Sequence, residues 1–368
     1  MSPQRRNPPR HSSVSEYDQE GGNDAPSDHH ADRANSMRDL DDDFLDDFVA
    51  GLGDESVRIV ESLELAKAVY VPCGRDLLLK QKFDKFLQLV TARRNGRRDD
   101  GRCFFLTGES GAGKTEIARH LLAKYPKFQP ESRPWGKTCP VVSITLKGPV
   151  IMKTLGHNIL RAAGYPLVQD LEENKVWDIL PDQLHLRKVM LIHIDEPQHL
   201  LTETPKGKER MKVAKAFKGV MNDPVWPVSF LLSGMPNTTE LARHDAQIER
   251  RGFQFPLADV ALPEERKLVV RILTEMASSV DIDVTRVVTS DMPERIAHAA
   301  AYRYARIAQV VLAGIHAALV DEAAELTRDH FATAYIEHSH ARGHDEMNPF
   351  LAHDWVRLAP GSFILEPT

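Results

Sequence analysis

The chain has 368 residues and a mass of 41.4 kDa, long enough for two or three domains and a sizeable core. Its 42% hydrophobic and 27% charged residues exclude a collagen, a coiled-coil rod and a wholly disordered chain. The formal charge of −6 is uneven: residues 1–56 hold five basic and fourteen acidic side chains, a net of −9, which leaves +3 for the rest. That balance neither repels nucleic acid nor proves binding to it.

Three cysteines, Cys73, Cys103 and Cys139, are far apart and odd in number. They argue for a reducing cytoplasm and against a disulfide framework or a structural zinc site. The longest apolar stretch, Val310–Val320, is broken by His316 and is too short to span a bilayer. No apolar core follows Arg5, Arg6 and Arg10, as a secretory signal requires. A soluble, cytoplasmic protein with no membrane partner is expected.

Residues 1–36 carry only Val14 and Tyr17 as larger core-forming side chains, too little apolar surface to offset the entropy of ordering them. In the acidic stretch that follows, Leu40, Phe44, Leu45, Phe48 and Val49 have helical spacing. It reads as a solvated tail with a transient helix, as a partner-docking helix, or as a segment masking a basic surface. Val57–Val69 and Arg75–Val90 read as amphipathic helices, and Arg93–Arg98 as a basic turn.

Short apolar runs at Cys103–Leu106, Val141–Ile144, Val189–Ile194 and Val228–Leu232 read as strands buried on both faces, with Phe253–Leu257 a possible fifth. Helical stretches separate them, which implies a doubly wound parallel sheet flanked by helices. After Pro263 the strand signals stop, and Glu264–Ser278, Glu294–Ala300, Tyr304–Ala324 and Asp329–His340 read as helices. The expected organisation is an acidic disordered extension over 1–55, an α/β nucleotide-binding domain over 56–262, a helical lid over 263–342 and an irregular tail over 343–368.

Gly108-Glu109-Ser110-Gly111-Ala112-Gly113-Lys114-Thr115 fits G-x-x-x-x-G-K-[ST], after a strand and before the helix Glu116–Tyr125. The glycines let backbone N–H groups turn inward on phosphate oxygens, and the helix N-terminus adds partial positive charge. Lys114 is expected to reach the β- and γ-phosphates of ATP, and the Thr115 hydroxyl to ligate Mg²⁺. Met190–Glu196 is an apolar strand ending in two carboxylates, at the edge where such sheets bind ligands. Asp195 is expected to hold Mg²⁺ through water, and Glu196 to polarise the attacking water.

The octet is also similar to the phosphate loop of myosin motors, but the further switch motifs of that larger domain are not found. A small-molecule kinase is disfavoured because adjacent Asp-Glu selects water as nucleophile. The helical region after the last strand favours an AAA+ ATPase. Within that class, Asp195-Glu196-Pro197-Gln198-His199-Leu200-Leu201 resembles the extended Walker B of the TniB/TnsC transposition ATPases. Phe230–Pro236 resembles that family's strand and sensor-1 turn, and Asp245–Arg251 its segment bearing the arginine finger. The resemblance runs from about Val57 to about Ala341 in motif order and spacing.

It implies a homo-oligomer, ring or filament, on duplex DNA that recruits or activates a DDE transposase, with a TniQ-like adaptor as a further candidate partner. Ser233 is expected to bond the γ-phosphate or the attacking water. Arg250 or Arg251 is expected to reach the nucleotide of a neighbouring subunit; two adjacent arginines cannot face the same way, and Arg251 is slightly favoured. Arg306 falls where a sensor-2 residue is expected, although a glycine commonly opens that helix and none does here. The adenine is expected near Val69–Val71.

Lys206, Lys208, Arg210, Lys212, Lys215 and Lys218 crowd one loop and helix. Lys208, Lys212 and Lys215 share a face that Lys218 extends, suited to duplex phosphates without reading sequence. The Arg93–Arg98 turn is a second candidate. His338, His340 and His344 read as a solvated helix end, and Asn348-Pro349-Phe350 as a docking motif or a turn anchored by one aromatic. Two other readings stay open: an ATP-gated protein scaffold, and another AAA+ member such as a replication initiator or helicase loader.

Overall fold

The structure is a computed structural model and describes residues 41–166, 170–200, 208–243, 245–338 and 347–361, with the side chains of 208–210 and 243 left out. The chain divides into two units, Met1–Val60 and Glu61–Thr368. In the first, residues 41–50 form helix α1. Phe44, Leu45 and Phe48 on it are more than half exposed. The expectations for residues 1–40 lie outside the described residues.

After α2 (Asp54–Ala68) and α3 (Gly74–Thr91), Arg93–Arg94 (β1) and Arg97–Arg98 (β2) pair as an antiparallel hairpin. Asn95 and Gly96 make its turn with φ of 52° and 78°. Asn-Gly is the pair that adopts this twist readily, so the basic turn is the tip of a small strand pair. The main sheet has the order β6-β7-β8-β3-β9, all parallel, from β3 (Cys103–Thr107), β6 (Val141–Thr145), β7 (Leu191–Asp195), β8 (Ser229–Gly234) and β9 (Gly252–Pro256). A second hairpin, β4 (Glu131–Arg133) with β5 (Gly136–Thr138), has no counterpart in the hydropathy pattern, because its short strands are largely exposed.

Every residue of β3, β7 and β8 is buried, as the continuous apolar runs require. Side chains alternate between two cores. Phe104, Leu106, Leu191 and Leu231 face α3 and α4 (Lys114–Ala123). Phe105, Ile192, Phe230 and Leu232 face the layer of α5 (Met152–Ala162), α6 (Glu173–Leu186) and α7 (Lys208–Met221). In the first core Phe83, Phe86 and Phe104 pack with centroids 5.3–5.5 Å apart. Short helices α8 (Glu240–Arg243) and α9 (Ala246–Arg250) lead into β9.

A third core belongs to the helical region: α10 (Arg266–Ser278), α11 (Thr285–Thr289), α12 (Met292–Ala299), α13 (Tyr304–Val320) and α14 (Arg328–His338). Residues 347–361 are turns and a single 3-10 turn, and Asn348–Phe350 pack into this core. Phe350 is fully buried against Phe331 at 5.4 Å. Asn348 donates to the Ala332 carbonyl at 3.1 Å, and Arg295 donates to the carbonyls of Pro349 and Ala352 at 2.7 and 2.8 Å. Asn348-Pro349-Phe350 is thus a turn anchored by its aromatic. His338 is exposed at the end of α14, while His340 and His344 lie outside the described residues. No described helix is long and apolar enough to cross a membrane.

Candidate nucleotide site

Parallel strands put all five carboxyl ends on one edge, and two loops from that edge build a cleft of about 270 Å³. Its walls include Ser110, Gly113, Lys114, Thr115, Glu196 and Met235. The loop after β3 turns through Gly111 and Gly113, with φ of 79° and 90°, where a Cβ would be strained. Gly111 has a second reason to lack a side chain: a Cβ there would lie 2.6 Å from Cγ of Arg306. Lys114 opens α4, is 6% exposed and donates to the Glu109 carbonyl at 3.0 Å. Burial holds its ammonium below the ordinary lysine range, against the pull of Glu196, Asp195 and Glu109. It is a buried cation restrained by one backbone oxygen, suited to a phosphate.

Strand β7 supplies the carboxylates. Asp195, 2% exposed, accepts from Thr115 Oγ1 at 2.7 Å and from Ser233 Oγ at 2.5 Å. Hydroxyl and carboxylate oxygens set side by side are the hard donors that Mg²⁺ takes, so the donor set fits that ion. Glu196 has φ of 59°, a left-handed conformation rare for a residue with a Cβ. Its N–H donates to the Ser233 carbonyl at 2.8 Å, and its carboxylate accepts from the Gln198 amide. The twist carries Glu196 out of the strand line and into the cleft wall, a strain of the kind found at functional sites.

Ser233 is fully buried and its hydroxyl donates to the Asp195 carboxylate. Behind it stands His193, which sequence reading did not single out. His193 Nε2 is 2.8 Å from Ser233 Oγ, and its Nδ1 is 3.2 Å from Ser143 Oγ. Burial pushes the His193 pKa down to about 4, so the ring is neutral near pH 7. Ser233 gives its one proton to Asp195 and therefore accepts from Nε2–H, which leaves Nδ1 to accept from Ser143. The signal was present in the register: Ser143 pairs with His193, and Asp195 with Ser233.

The helical region closes on the loop through α13. Ala305 N–H donates to the Gly111 carbonyl at 3.0 Å, and Arg303 donates to the Ser110 carbonyl at 2.9 Å. Arg306, 7% exposed, lies against Gly111. Ala301 and Tyr302 have φ of 50° and 59°, so the backbone adopts the conformation a glycine would favour although none is present. Beside the loop, Tyr70 stacks on His120 at 3.6 Å, and the Tyr304 hydroxyl donates to the Val71 carbonyl at 2.6 Å. Tyr70 and Tyr304, with Cys73, Ala112, Ile117 and Leu257, line a pocket of only about 10 Å³, beside the segment where the base is expected.

The two candidate finger residues part company. Arg251 donates to Asn222 at 2.7 Å and pairs with Asp100 at 2.6 Å, committed to its own chain. Arg250 is exposed, and among the described residues its side chain donates to the Ala246 carbonyl of its own helix at 3.2 Å. On α7, Lys212 and Lys215 are exposed, whereas Lys218 is half-buried 3.8 Å from Asp245. The side chains of Lys208 and Arg210, and all of Lys206, lie outside the described residues.

Comparison with known proteins agrees with this architecture. A family model described as an AAA domain matches residues 97–242. No curated protein matches the chain. Among solved structures, the chain is similar to Cdc6p from Pyrobaculum aerophilum at 15% identity and a TM-score of 0.54, covering 74% of this chain and 70% of that one. It is similar to the Aeropyrum pernix ORC2 protein, solved as ADPNP-ADP complexes, at 18% identity and a TM-score of 0.50, covering 76% and 72%. It is also similar to the Aeropyrum pernix ORC1 protein in complex with DNA, at 15% identity and a TM-score of 0.50, covering 75% and 69%. The fold is that of an AAA+ P-loop protein: a five-stranded parallel sheet flanked by helices, with a helical C-terminal part.

Proposed function

We propose that this protein is an Mg²⁺-dependent AAA+ ATPase that assembles on duplex DNA and delivers a DDE transposase to it. The observation that carries the ATPase reading is the convergence of Lys114, Thr115, Asp195 and Glu196 on one cleft at the carboxyl edge of the sheet. Backbone N–H groups of Gly111–Thr115 and the Lys114 ammonium would bind the β- and γ-phosphates. Thr115 and Asp195 would hold Mg²⁺, which when bound neutralises charge on the phosphate oxygens. Glu196 would accept a hydrogen bond from the attacking water and orient it toward the γ-phosphorus. Ser233 and His193 would keep the Asp195 carboxylate in place.

Arg250, exposed just before β9, is the better candidate to reach a neighbour's nucleotide, which would couple turnover to assembly. Lys212 and Lys215, with Lys208 at the start of the same helix, would contact duplex phosphates without reading sequence. The transposition role rests on the segments that resemble the TniB/TnsC family, as does a TniQ-like adaptor. A replication-initiator role is a second reading, favoured by the likeness in fold to Cdc6p. The test is ATP turnover by the full chain with duplex DNA, with and without a DDE transposase. DNA-stimulated hydrolysis and nucleotide-dependent capture of the transposase support the first reading. Hydrolysis with no capture, together with loading of a replicative helicase, supports the second.

A further inference from the structure

The β1–β2 hairpin has no part in the nucleotide cleft, yet its strands consist of arginine alone. Arg93 stands directly across from Arg98, and Arg94 from Arg97. Like charges in facing positions of a strand pair repel, so the hairpin is electrostatically unfavourable by itself. None of the four joins an ion pair among the described residues, and Arg93, Arg94 and Arg97 are exposed. Successive side chains of a strand point to opposite faces, and the clefts beside the hairpin follow that alternation. Arg93 lines one of about 660 Å³ and Arg94 another of about 640 Å³, while Arg97 and Arg98 border both. The ribbon therefore presents cations on both faces.

Its foot is fixed in place. Arg98 is half-buried, donates to the Pro227 carbonyl at 3.0 Å and lies 4.3 Å over the Trp226 ring. His185 stacks on the same ring at 5.0 Å, and Trp226 Nε1 donates to the Val189 carbonyl at 2.6 Å. Lys188, 4.9 Å over Trp226, adds a further cation. Among the described residues no carboxylate lines the first cleft. Asp99 and Asp100 line the second, but Asp100 is paired with Arg251 at 2.6 Å. What the hairpin lacks is an anion.

The geometry points to a duplex-DNA contact: the hairpin enters the major groove, and the arginines of its two faces meet the phosphates of the two groove walls. A two-stranded ribbon, with strands about 5 Å apart, fits a groove about 12 Å wide. The fork of N–H donors on each guanidinium matches phosphate oxygens. An acidic protein partner fits less well, because the hairpin has no apolar side chain to bury against one and its cations face two ways. The hairpin leads into the amino end of β3, whereas the phosphate loop follows the carboxyl end, so DNA held there leaves the nucleotide cleft open. The inference rests on the proposal that the protein binds duplex DNA, and adds a surface apart from the lysines of α7.

The experiment titrates the full-length chain against a fluorescent random-sequence duplex, reading anisotropy over a series of salt concentrations. Wild type is compared with Arg94→Ala/Arg97→Ala and with Lys67→Ala/Lys267→Ala, a control that removes two exposed charges from α2 and α10. At about 0.1 M salt the hairpin variant should lose roughly tenfold or more in affinity. Its slope of log affinity against log salt should shrink by about 1.8, two contacts at about 0.9 each. Its affinity for a fluorescent ATP analogue should match wild type, and the control should keep wild-type affinity for DNA. Unchanged duplex affinity in the hairpin variant overturns the inference and leaves DNA to α7. Equal losses in variant and control also overturn it, since a diffuse field would then replace contact. So does a labelled oligoglutamate peptide that binds wild type and not the hairpin variant while duplex affinity is the same in both, which gives the hairpin to a protein. Wild type with no duplex affinity overturns the DNA-binding proposal itself, and the inference with it.

Discussion

The hydroxyl of Tyr304, first residue of α13, donates to the carbonyl of Val71 across 233 positions of sequence at 2.6 Å. That bond, with the one from Arg271 to the Pro72 carbonyl at 3.0 Å, joins the lid to the linker, and Tyr304 lines the pocket of about 10 Å³ beside the phosphate loop. A base entering there must part the two. Tyr304→Phe removes the hydroxyl and keeps the ring, so nucleotide should bind more tightly. A bond worth about 1 kcal/mol corresponds to roughly a fivefold gain. Stopped-flow binding of a fluorescent ATP analogue reads it, and unchanged or weaker affinity contradicts the role given to this contact.

Glu196→Gln keeps the shape of the side chain but removes the base. Turnover should fall by about 10²–10⁴-fold while nucleotide still binds. Lys114→Ala should instead lose nucleotide binding. A phosphate-release assay beside a binding titration distinguishes the two, and hydrolysis at the wild-type rate in Glu196→Gln removes that residue from the chemistry.

Adjacent arginines should give opposite phenotypes. Arg250→Ala should leave the fold intact and reduce turnover by about 10³-fold, the lower end of what an arginine finger contributes. Arg251→Ala breaks the contacts to Asp100 and Asn222, and should chiefly lower stability, by about 1 kcal/mol. Urea denaturation and ATPase rates measured on both variants decide the assignment.

His193 makes stability depend on pH. Its folded pKa of about 4 lies below the ordinary histidine value of 6.5, so the unfolded chain binds the extra proton between those values. The stabilisation is therefore complete above about pH 6.5 and falls as pH drops toward 4, by roughly 3 kcal/mol from this group. His193→Asn should flatten that part of the stability profile. It should also raise the Mg²⁺ concentration needed for half-maximal turnover, because Asp195 loses its backing through Ser233. An unchanged Mg²⁺ requirement would leave His193 as a packing residue.

Phe350 offers a test of the tail. Fully buried against Phe331 and Tyr335, it should cost about 3–5 kcal/mol when replaced by Ala. Thermal unfolding of the full chain measures the loss.

The sheet was legible because β3, β7 and β8 are buried on both faces and read as unbroken apolar runs. The phosphate loop was legible because its chemistry is local in sequence. What escaped depends on tertiary context. Phe350 sits in a stretch with no periodicity, and only its fit beside Phe331 makes it core. His193 looks like an ordinary strand residue until the register aligns Ser143 on one side and Asp195 with Ser233 on the other. Arg250 and Arg251 have the same chemistry, and only Asp100 and Asn222, distant in sequence, tell them apart.

Because every strand of the main sheet runs the same way, the phosphate-loop motif and the exposed Arg250 sit at its two opposite poles. An open row of such molecules has unlike termini. At one terminus the last copy offers its cleft to solvent and lacks a donor from beyond, so its ATP should outlast all the others. Growth and shedding would then have a direction, and only closure into a circle would erase the difference.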